Sequence, residues 1–389
     1  MIKDFDSVVV HYDEIGLKGG NRVQFEKRLI SNILTKLGDG VGTCKRESGQ
    51  LTISLYESSD RLRLCEILSK IPGIAYFSPS YRTNVDLPCL EKLALAVLAE
   101  EPFETFRIDT RRHDKLWKMK SMEVNARLGS IVLNAYPDKK VKLKNPDLTL
   151  KVEINVKNAY LTVKKLPGIG GLPTNPRQKV MALLSGGFDS SVAAFLMMKR
   201  GCQVMFIHFQ NQNQMTSSVE NKIQLLAEQL AKCQVETILT IIPFENIQKE
   251  IIKTVRSTQR MLIYRRIMLQ MASAMAGRRK ARFLVVGDSF SQVASQTYDN
   301  LDATYQASPH HVFSPLIGMD KKEIVRIAKS IGTYDISALP YGDCCTFFLP
   351  KHPELRGRAD DLQKIEASIE ELELLCSEAM EQARRFTFD

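Results

Sequence analysis

The stretch Val180-Met181-Ala182-Leu183-Leu184 runs straight into Ser185-Gly186-Gly187-Phe188-Asp189-Ser190-Ser191. Five consecutive apolar residues suit a strand buried on both faces of a parallel sheet. Residues 190–199 follow as a helix, so the segment reads strand, tight turn, helix. Gly186 and Gly187 let the backbone approach a ligand closely. The amides that open a helix attract phosphate, and Ser185, Ser190 and Ser191 add hydroxyl groups. Asp189 is placed to help hold a magnesium ion that bridges phosphate oxygens. The pattern GxxxxGK[ST] is absent, which excludes a Walker loop. A bare Gly-Gly pair would signal only a turn; the Ser, Asp and Ser around it make a phosphate seat the stronger reading.

Strand-then-helix alternation continues downstream. Residues 204–209, 237–242 and 283–286 read as further strands, with helices between them that include 218–230. This is the pattern of a doubly wound α/β domain, which binds its ligand at the carboxyl ends of its strands. His208 falls at such an end, which tips it from packing toward the ligand. Arg265 lies in the otherwise apolar Met261-Leu262-Ile263-Tyr264 run; on spacing alone a phosphate and an acidic side chain serve it equally as partner. Gly287 opens a loop of small polar residues that runs to Thr297. Farther on, Cys344-Cys345 precedes Lys351 and His352, cations able to lower a thiol's pKa. Against that, most cysteines are inert packing residues.

Upstream the pattern differs. Residues 7–11 read as a strand, followed by a turn with Gly16, Gly19 and Gly20. Asn21 is a candidate cap for a helix with Phe25, Leu29, Ile30 and Ile33 on one face. Residues 51–55 read as a strand, and 61–71 as a helix with Leu62, Leu64, Ile67 and Leu68 inward. Strands and helices alternating over 75 residues suggest a small α+β sandwich. Next come a helix at 90–98, a strand at 105–110 and a helix from Ser121. Residues 141–144 and 148–156 alternate as half-buried strands. Between Arg107 and Lys165 stand 15 Lys and Arg against 6 Asp and Glu. That excess suggests a phosphate-facing surface, with Arg111, Arg112, Lys115, Lys118 and Lys120 as the expected contacts. Pro167-Gly168-Ile169-Gly170-Gly171-Leu172-Pro173 is a linker by composition.

With 389 residues the chain holds two or three domains, and 44% hydrophobic with 25% charged residues is ordinary for a globular protein. The net charge of +10 favours a polyanionic partner. No signal peptide and no apolar run of about 18 residues is visible, so a cytoplasmic protein without membrane contact is expected. The eight cysteines include no CxxC pair. A structural metal, an iron–sulfur cluster and a disulfide framework are therefore not expected.

Ser185-Gly186-Gly187 with Asp189-Ser190 resembles the PP-loop of the ATP pyrophosphatases, which split ATP between its α and β phosphates. Over nearly its whole length the chain resembles the tRNA 4-thiouridine synthetase family, the tRNA uracil 4-sulfurtransferases. His11-Tyr12-Asp13-Glu14-Ile15-Gly16-Leu17-Lys18-Gly19-Gly20-Asn21-Arg22 is similar to the family's opening YGEIxLKGxNR, with Asp13 at its glycine. Ser121-Met122-Glu123-Val124-Asn125 and Lys144-Asn145-Pro146-Asp147 carry a likeness to THUMP RNA-binding domains. Residues 287–297 resemble GESxxQVASQT, with Asp288 for Glu. Phe188 and Ser191 depart from the usual Ile and Pro of the loop without removing a chemical group.

The resemblance implies a ferredoxin-like domain at 1–75, a THUMP domain at 76–165, a linker at 166–175 and a PP-loop domain at 176–389. Leu183, Leu184, His208 and Phe209 are then expected on the adenine side of ATP, with Arg265, Gly287 and Gln296 completing the site. Cys345 is the expected catalytic cysteine, with Cys344 as the alternative. ATP and Mg2+ are the implied cofactors, and tRNA, modified near position 8, the implied substrate. A cysteine desulfurase would donate the persulfide, and a sulfur-carrier protein would link the chain to thiamine biosynthesis. Because family members dimerise, a homodimer is also implied. Many members end in a rhodanese-like domain; the helical tail from Asp360 leaves no room for one, so this chain is expected to lack it. Three rival readings stand beside this one. They are a PP-loop synthetase acting on a small molecule, a non-catalytic RNA-binding protein, and a THUMP-containing methyltransferase, to which a PP-loop is ill suited.

Overall fold

A computed structural model describes residues 4–113, 117–211, 217–339 and 353–388. The chain divides into two compact units, Met1–Pro173 and Thr174–Asp389.

The first unit holds one mixed sheet. Its strands are β1 (Ser7–His11), β2 (Cys44–Glu47), β3 (Gln50–Ser54), β4 (Tyr76–Asn84), β5 (Thr105–Arg112), β6 (Lys140–Val141), β7 (Leu148–Ile154), β8 (Asn158–Thr162) and β9 (Leu166–Pro167). The order is β2-β3-β1-β4-β8-β7-β5-β6, with β9 on β4. The nine-residue β4 joins two cores: Tyr76 to Ser80 pair with β1, and Tyr81 to Asn84 pair with β8. Helices α1 (Arg22–Leu37) and α2 (Arg61–Leu68) belong to the first core, where Leu29, Ile33, Leu64 and Leu68 meet Val8, Val10, Leu51 and Phe77. Helices α3 (Leu87–Ala99) and α4 (Ser121–Ala135) belong to the second, where Leu90, Val124 and Leu128 meet Phe106, Leu150 and Val152.

Several local expectations change here. Leu62 is 73% exposed, not inward; α2 is short, and Leu64 and Leu68, one turn apart, suffice to seat it. Asn21 makes no side-chain cap, because its own backbone is already helical. Of residues 141–144 only Val141 is in a strand, and Leu143 is exposed. The glycine-rich stretch bonds to its own unit: Gly168 N–H donates to Ala75 O, Gly170 N–H to Ile74 O, and Gly73 N–H to Gly170 O.

The second unit is a six-stranded sheet of β10 (Asn175–Leu183), β11 (Cys202–Gln210), β12 (Thr237–Pro243), β13 (Phe283–Val285), β14 (His311–Phe313) and β15 (Arg384–Phe388). The order is β14-β13-β10-β11-β12-β15; all pairs are parallel except the last. The chain starts at β10, winds outward through β11 and β12, then returns to β13 and β14 on the other side. The reversal lies between β10 and β13, where doubly wound sheets open a ligand crevice.

The helices of this unit are α5 (Phe188–Lys199), α6 (Ser217–Ala231), α7 (Glu245–Thr254), α8 (Ser257–Arg278), α9 (Tyr298–Tyr305), α10 (Lys321–Ser330), α11 (Tyr334–Ala338), α12 (Ala359–Ala367) and α13 (Leu372–Glu381). The 22-residue α8 runs through the core, with Leu262, Ile263, Ile267 and Met271 buried. Arg266 on it is buried too. It donates from Nε to Glu366 Oε1 (2.5 Å) and from Nη2 to Oε2 (3.1 Å), and also reaches Ala303 O. One side chain thus joins α8, α9 and α12. The tail is helical as read, but it ends in the additional strand β15. Arg384 of β15 forks onto Glu220 of α6 with two 2.9 Å contacts. Cys376 packs on the core, and burial pushes its thiol up to about 11. Among the described residues no helix is long and apolar enough to cross a membrane.

Candidate functional site

A cavity of about 450 Å3 opens at the carboxyl ends of the strands in the second unit. That falls within the ~300–1,000 Å3 of small-ligand pockets. Leu183, Leu184, Ser185, Gly187, Asp189 and Ser190 line it from β10 and the start of α5. His208 and Phe209 line it from the end of β11, Arg265 from α8, and Gly287 and Gln296 from the loop after β13. Met261, Leu262, Met268 and Leu269 add an apolar wall. Gly186 is not among the lining residues. Pro353 and Glu354 are, and they were not anticipated.

The loop at 185–191 is held by its own hydroxyls. Ser185 N–H donates to Ser190 Oγ (3.1 Å), the two serine hydroxyls bond each other (3.1 Å), and Gly187 N–H donates to Ser185 Oγ (3.3 Å). Ser191 is fully buried and donates to Gly187 O, so its hydroxyl serves the helix rather than a ligand. Gly287 crosses this loop at close quarters. A Cβ there would stand 2.5 Å from Ser190 N and 2.6 Å from Asp189 C.

Asp189 lies on the first turn of α5. Its carboxylate accepts from Lys321 Nζ at 2.8 and 3.0 Å and from Gln292 Nε2 at 3.1 Å. Lys321 is the first residue of α10, whose start is fixed by a reciprocal box: Glu323 N–H donates to Asp320 Oδ1 (2.8 Å), and Asp320 N–H to Glu323 Oε2 (3.0 Å). The Asp320-Lys321-Lys322-Glu323 spacing announces that helix start in the sequence. Nothing local announces that Lys321 reaches Asp189.

His208 is buried, and its Nδ1 lies 2.8 Å from Leu184 O. A carbonyl only accepts, so Nδ1 carries the proton. Arg265 resolves the choice left open by its spacing. Its Nη2 meets Asp288 Oδ2 at 2.5 Å, and its Nη1 donates to Ser295 O at 2.9 Å. Asp288 also accepts from Tyr305 OH (2.8 Å) and Gln296 Nε2 (3.0 Å). Burial, then the neighbouring Asp288 charge, push the Tyr305 phenol far above its ordinary value, so it stays a donor.

One carboxylate therefore orients both Arg265 and Gln296 on the cavity wall. Asp288→Asn is expected to weaken ATP binding by about 10–100-fold, because hydrogen bonds to charged groups contribute about 1.5–3 kcal/mol and 1.4 kcal/mol is tenfold. Titration calorimetry with ATP measures this. Unchanged affinity would mean that Arg265 and Gln296 hold their places without Asp288.

Cys344 and Cys345 lie outside the described residues. Burial pushes the Cys44 thiol up to about 12 and the Cys65 thiol up to about 11, which disfavours the nucleophilic thiolate at both. Among the described residues no group of three or more His, Cys, Asp or Glu is placed to hold a metal ion. In the first unit Arg111, Lys118 and Lys120 are exposed, and Arg112 donates to Trp117 O (2.9 Å). Lys115 lies outside the described residues.

The chain matches the family described as thiamine biosynthesis protein (ThiI) over residues 176–371. It matches the THUMP domain over 84–164 and the ThiI ferredoxin-like domain over 7–78. A probable tRNA sulfurtransferase of Natranaerobius thermophilus is 37% identical, over 97% of this chain and 95% of that protein. One of Enterococcus faecalis is 36% identical, over 97% and 94%. Among solved structures, a 4-thiouridine synthetase in complex with RNA and bound ATP superposes with a TM-score of 0.90 at 32% identity, over 99% of this chain and 100% of that one. A Pyrococcus horikoshii protein shares the fold at 21% identity, with a TM-score of 0.66 over 84% of this chain and 99% of that one.

Proposed function

The chain belongs to the ThiI family of tRNA sulfurtransferases, and from that membership we propose how its residues carry out ATP-dependent thiolation of tRNA. The observation that carries the proposal is the cavity itself. Its wall includes the amide-rich start of α5 and also Pro353 and Glu354, which follow the Cys344-Cys345 segment in the chain. The described chain that resumes after the cysteines therefore forms part of the cavity wall.

The uracil C4 oxygen, near position 8 of tRNA, attacks the α-phosphorus of ATP and expels pyrophosphate. This turns a poor leaving group into AMP. The amides at 186–190 and the serine-braced loop receive the departing phosphates. Lys321, now paired with Asp189, is free to turn to the growing negative charge when Asp189 takes another partner. A single carboxylate at a phosphate site fits Mg2+, which keeps most of its waters and is shared with the nucleotide. Asp189 would hold it, and it would supply charge neutralisation on pyrophosphate. The apolar face of Leu183, Leu184 and Phe209 suits a flat base, and His208 and Gln296 edge it.

In the second step a persulfide on Cys345 attacks C4 and AMP leaves. A second thiol then attacks Cys345 Sγ, frees the thiolated base and closes a disulfide, which a reductant reopens. The persulfide comes from a cysteine desulfurase. Sulfuration of a carrier protein for thiamine biosynthesis is a second use of the same chemistry, in keeping with the family's description. Residues 1–75 and 76–165, ferredoxin-like and THUMP, would form the tRNA-binding part, joined through 166–175 to the catalytic part at 176–389. Arg111, Arg112, Lys115, Lys118 and Lys120 would meet its phosphates. The enzyme would work in the cytoplasm, as a homodimer if one copy's RNA domains serve the other's cavity.

Single-turnover reactions with unmodified tRNA, ATP, magnesium, cysteine and a desulfurase test this. The wild type is expected to release pyrophosphate and form 4-thiouridine. Cys345→Ala is expected to release pyrophosphate at an ordinary rate and form no detectable 4-thiouridine. Pyrophosphate release that needs no tRNA would point instead to a small-molecule substrate. Full thiolation by Cys345→Ala would move the persulfide to Cys344.

A further inference from the structure

The chain on either side of the cysteine-bearing residues 340–352 is held by two buried polar side chains that belong to neither the nucleotide site nor the hydrophobic core. Upstream, Lys222 of α6 is 2% exposed. Its Nζ donates to Ser337 O and Leu339 O, each at 2.8 Å. Leu339 is the last described residue before the cysteines. Burying an ammonium is costly unless its donors are matched, and carbonyls left open at a helix end are suitable acceptors.

Downstream, Asn300 of α9 is fully buried. Its Nδ2 donates to Glu354 O and to Ala294 O, both at 2.8 Å, and its Oδ1 accepts from Gly357 N–H at 2.8 Å. Both amide donors and the acceptor are thus engaged. Gly357 is fitted to this contact, since a Cβ there would stand 2.6 Å from Leu262 Cδ1 and 2.9 Å from Asn300 Oδ1. Two further bonds hold the same stretch: Thr297 Oγ1 donates to Leu355 O (2.8 Å), and Glu354 N–H donates to Thr258 O (3.1 Å). Ala294 and Glu354 both line the nucleotide cavity. Asn300 therefore joins one carbonyl of the nucleotide loop to one carbonyl of the chain that leaves the cysteines.

A buried lysine and a buried asparagine are expensive ways to fill space, and apolar residues of similar volume would pack without needing matched partners. What the polar pair adds is a fixed position for two chain ends. We infer that Lys222 and Asn300 are positioning residues for sulfur transfer, fixing both ends of the cysteine segment and, through Asn300, setting the downstream end in register with the nucleotide loop. Neither side chain is among those that line the nucleotide cavity. The inference rests on the reading of that segment as the sulfur carrier.

The test compares Lys222→Met, Asn300→Asp, Cys344→Ala and Cys345→Ala in the full-length protein. It measures tRNA-dependent pyrophosphate release, 4-thiouridine formation and Tm separately. Lys222→Met keeps the stem length and loses the donors. It is expected to keep the KM for ATP and the rate of pyrophosphate release, and to lose thiolation by about 10–100-fold, since misplacing a reacting group by ~1 Å can cost ~100-fold. Asn300→Asp keeps the acceptor for Gly357 and loses both donors. It is expected to lose thiolation as severely and to raise the KM for ATP as well, because it also releases Ala294. If Lys222→Met is too unstable to assay, Lys222→Gln retains a shorter donor and should show the same split at smaller size.

A parallel fall of both steps with Tm would reduce Lys222 and Asn300 to structural roles and overturn the inference. So would full thiolation by Lys222→Met beside inactive cysteine variants, which would leave the reading of the cysteines intact. Full thiolation by both Cys344→Ala and Cys345→Ala would overturn that reading, and this inference with it.

Discussion

Gly287→Ala is expected to abolish both pyrophosphate release and thiolation while leaving tRNA binding unchanged. The added methyl would meet backbone atoms of Ser190 and Asp189 at 2.5 and 2.6 Å, where no side-chain rotation relieves the overlap. Either the loop after β13 or the first turn of α5 must move. Both bound the cavity, one carrying Asp288 and Gln296 and the other the amides proposed to hold phosphate. Overpacking of this kind costs about 1–3 kcal/mol even in adaptable cores. Applied to the binding site, the upper end corresponds to about a hundredfold loss of ATP affinity at 1.4 kcal/mol per tenfold. Titration calorimetry with ATP and filter binding with tRNA separate the two effects. Normal ATP affinity would show that the start of α5 is not where the phosphates sit.

The second large effect is on stability. Arg266→Leu removes a guanidinium that is 4% exposed and leaves Glu366, 9% exposed, as a buried carboxylate without its fork. Breaking a buried pair by deleting one member typically costs about 3–5 kcal/mol. For a unit of this size 1 kcal/mol corresponds to ~2–4 °C, so a fall in Tm on the order of 10 °C is expected. Arg266→Leu with Glu366→Leu should recover much of it, because the uncompensated charge is then gone. Calorimetry on the two variants decides. A single variant as stable as wild type would mean that water or a neighbouring donor already satisfies Glu366. Arg265, next in sequence, should show the opposite profile, with a large effect on ATP and a smaller one on Tm. The two arginines look alike in the sequence but, about 100° apart around one helix, reach different partners, Asp288 and Glu366.

That pair marks the boundary of what the sequence discloses. The strand–turn–helix at 180–199 is legible because its signals are local: five apolar residues, two glycines, then a helix. The ATP-site residues named from the sequence come together around one cavity, Gly186 excepted, because their motifs sit at strand ends and the parallel fold gathers strand ends. What escaped is long-range. Lys321 is 132 positions from Asp189, Lys222 is 117 from Leu339, and β15 reaches back across the fold to β12. No periodicity encodes such partners. Leu62 faces outward because its neighbour one turn on is the exposed Glu66, while the buried face runs through Leu64 and Leu68. Asp288 passed as a loop residue because its three bonds come from three separate elements.

The last strand also bears on how copies of this protein can meet. An open sheet grows by adding strands at its margins, and each margin of the second unit is poorly suited to that. At one side β14 is only three residues long. At the other, β15 runs against the direction of its neighbours and carries adjacent cations, Arg384 and Arg385, the first anchored to Glu220. Short or charged margins discourage pairing between molecules. Self-association of this unit by zipping backbones into a continuous sheet is thereby disfavoured. For an enzyme whose substrate is a long polyanion able to crowd several copies together, such margins disfavour growth into backbone-paired aggregates.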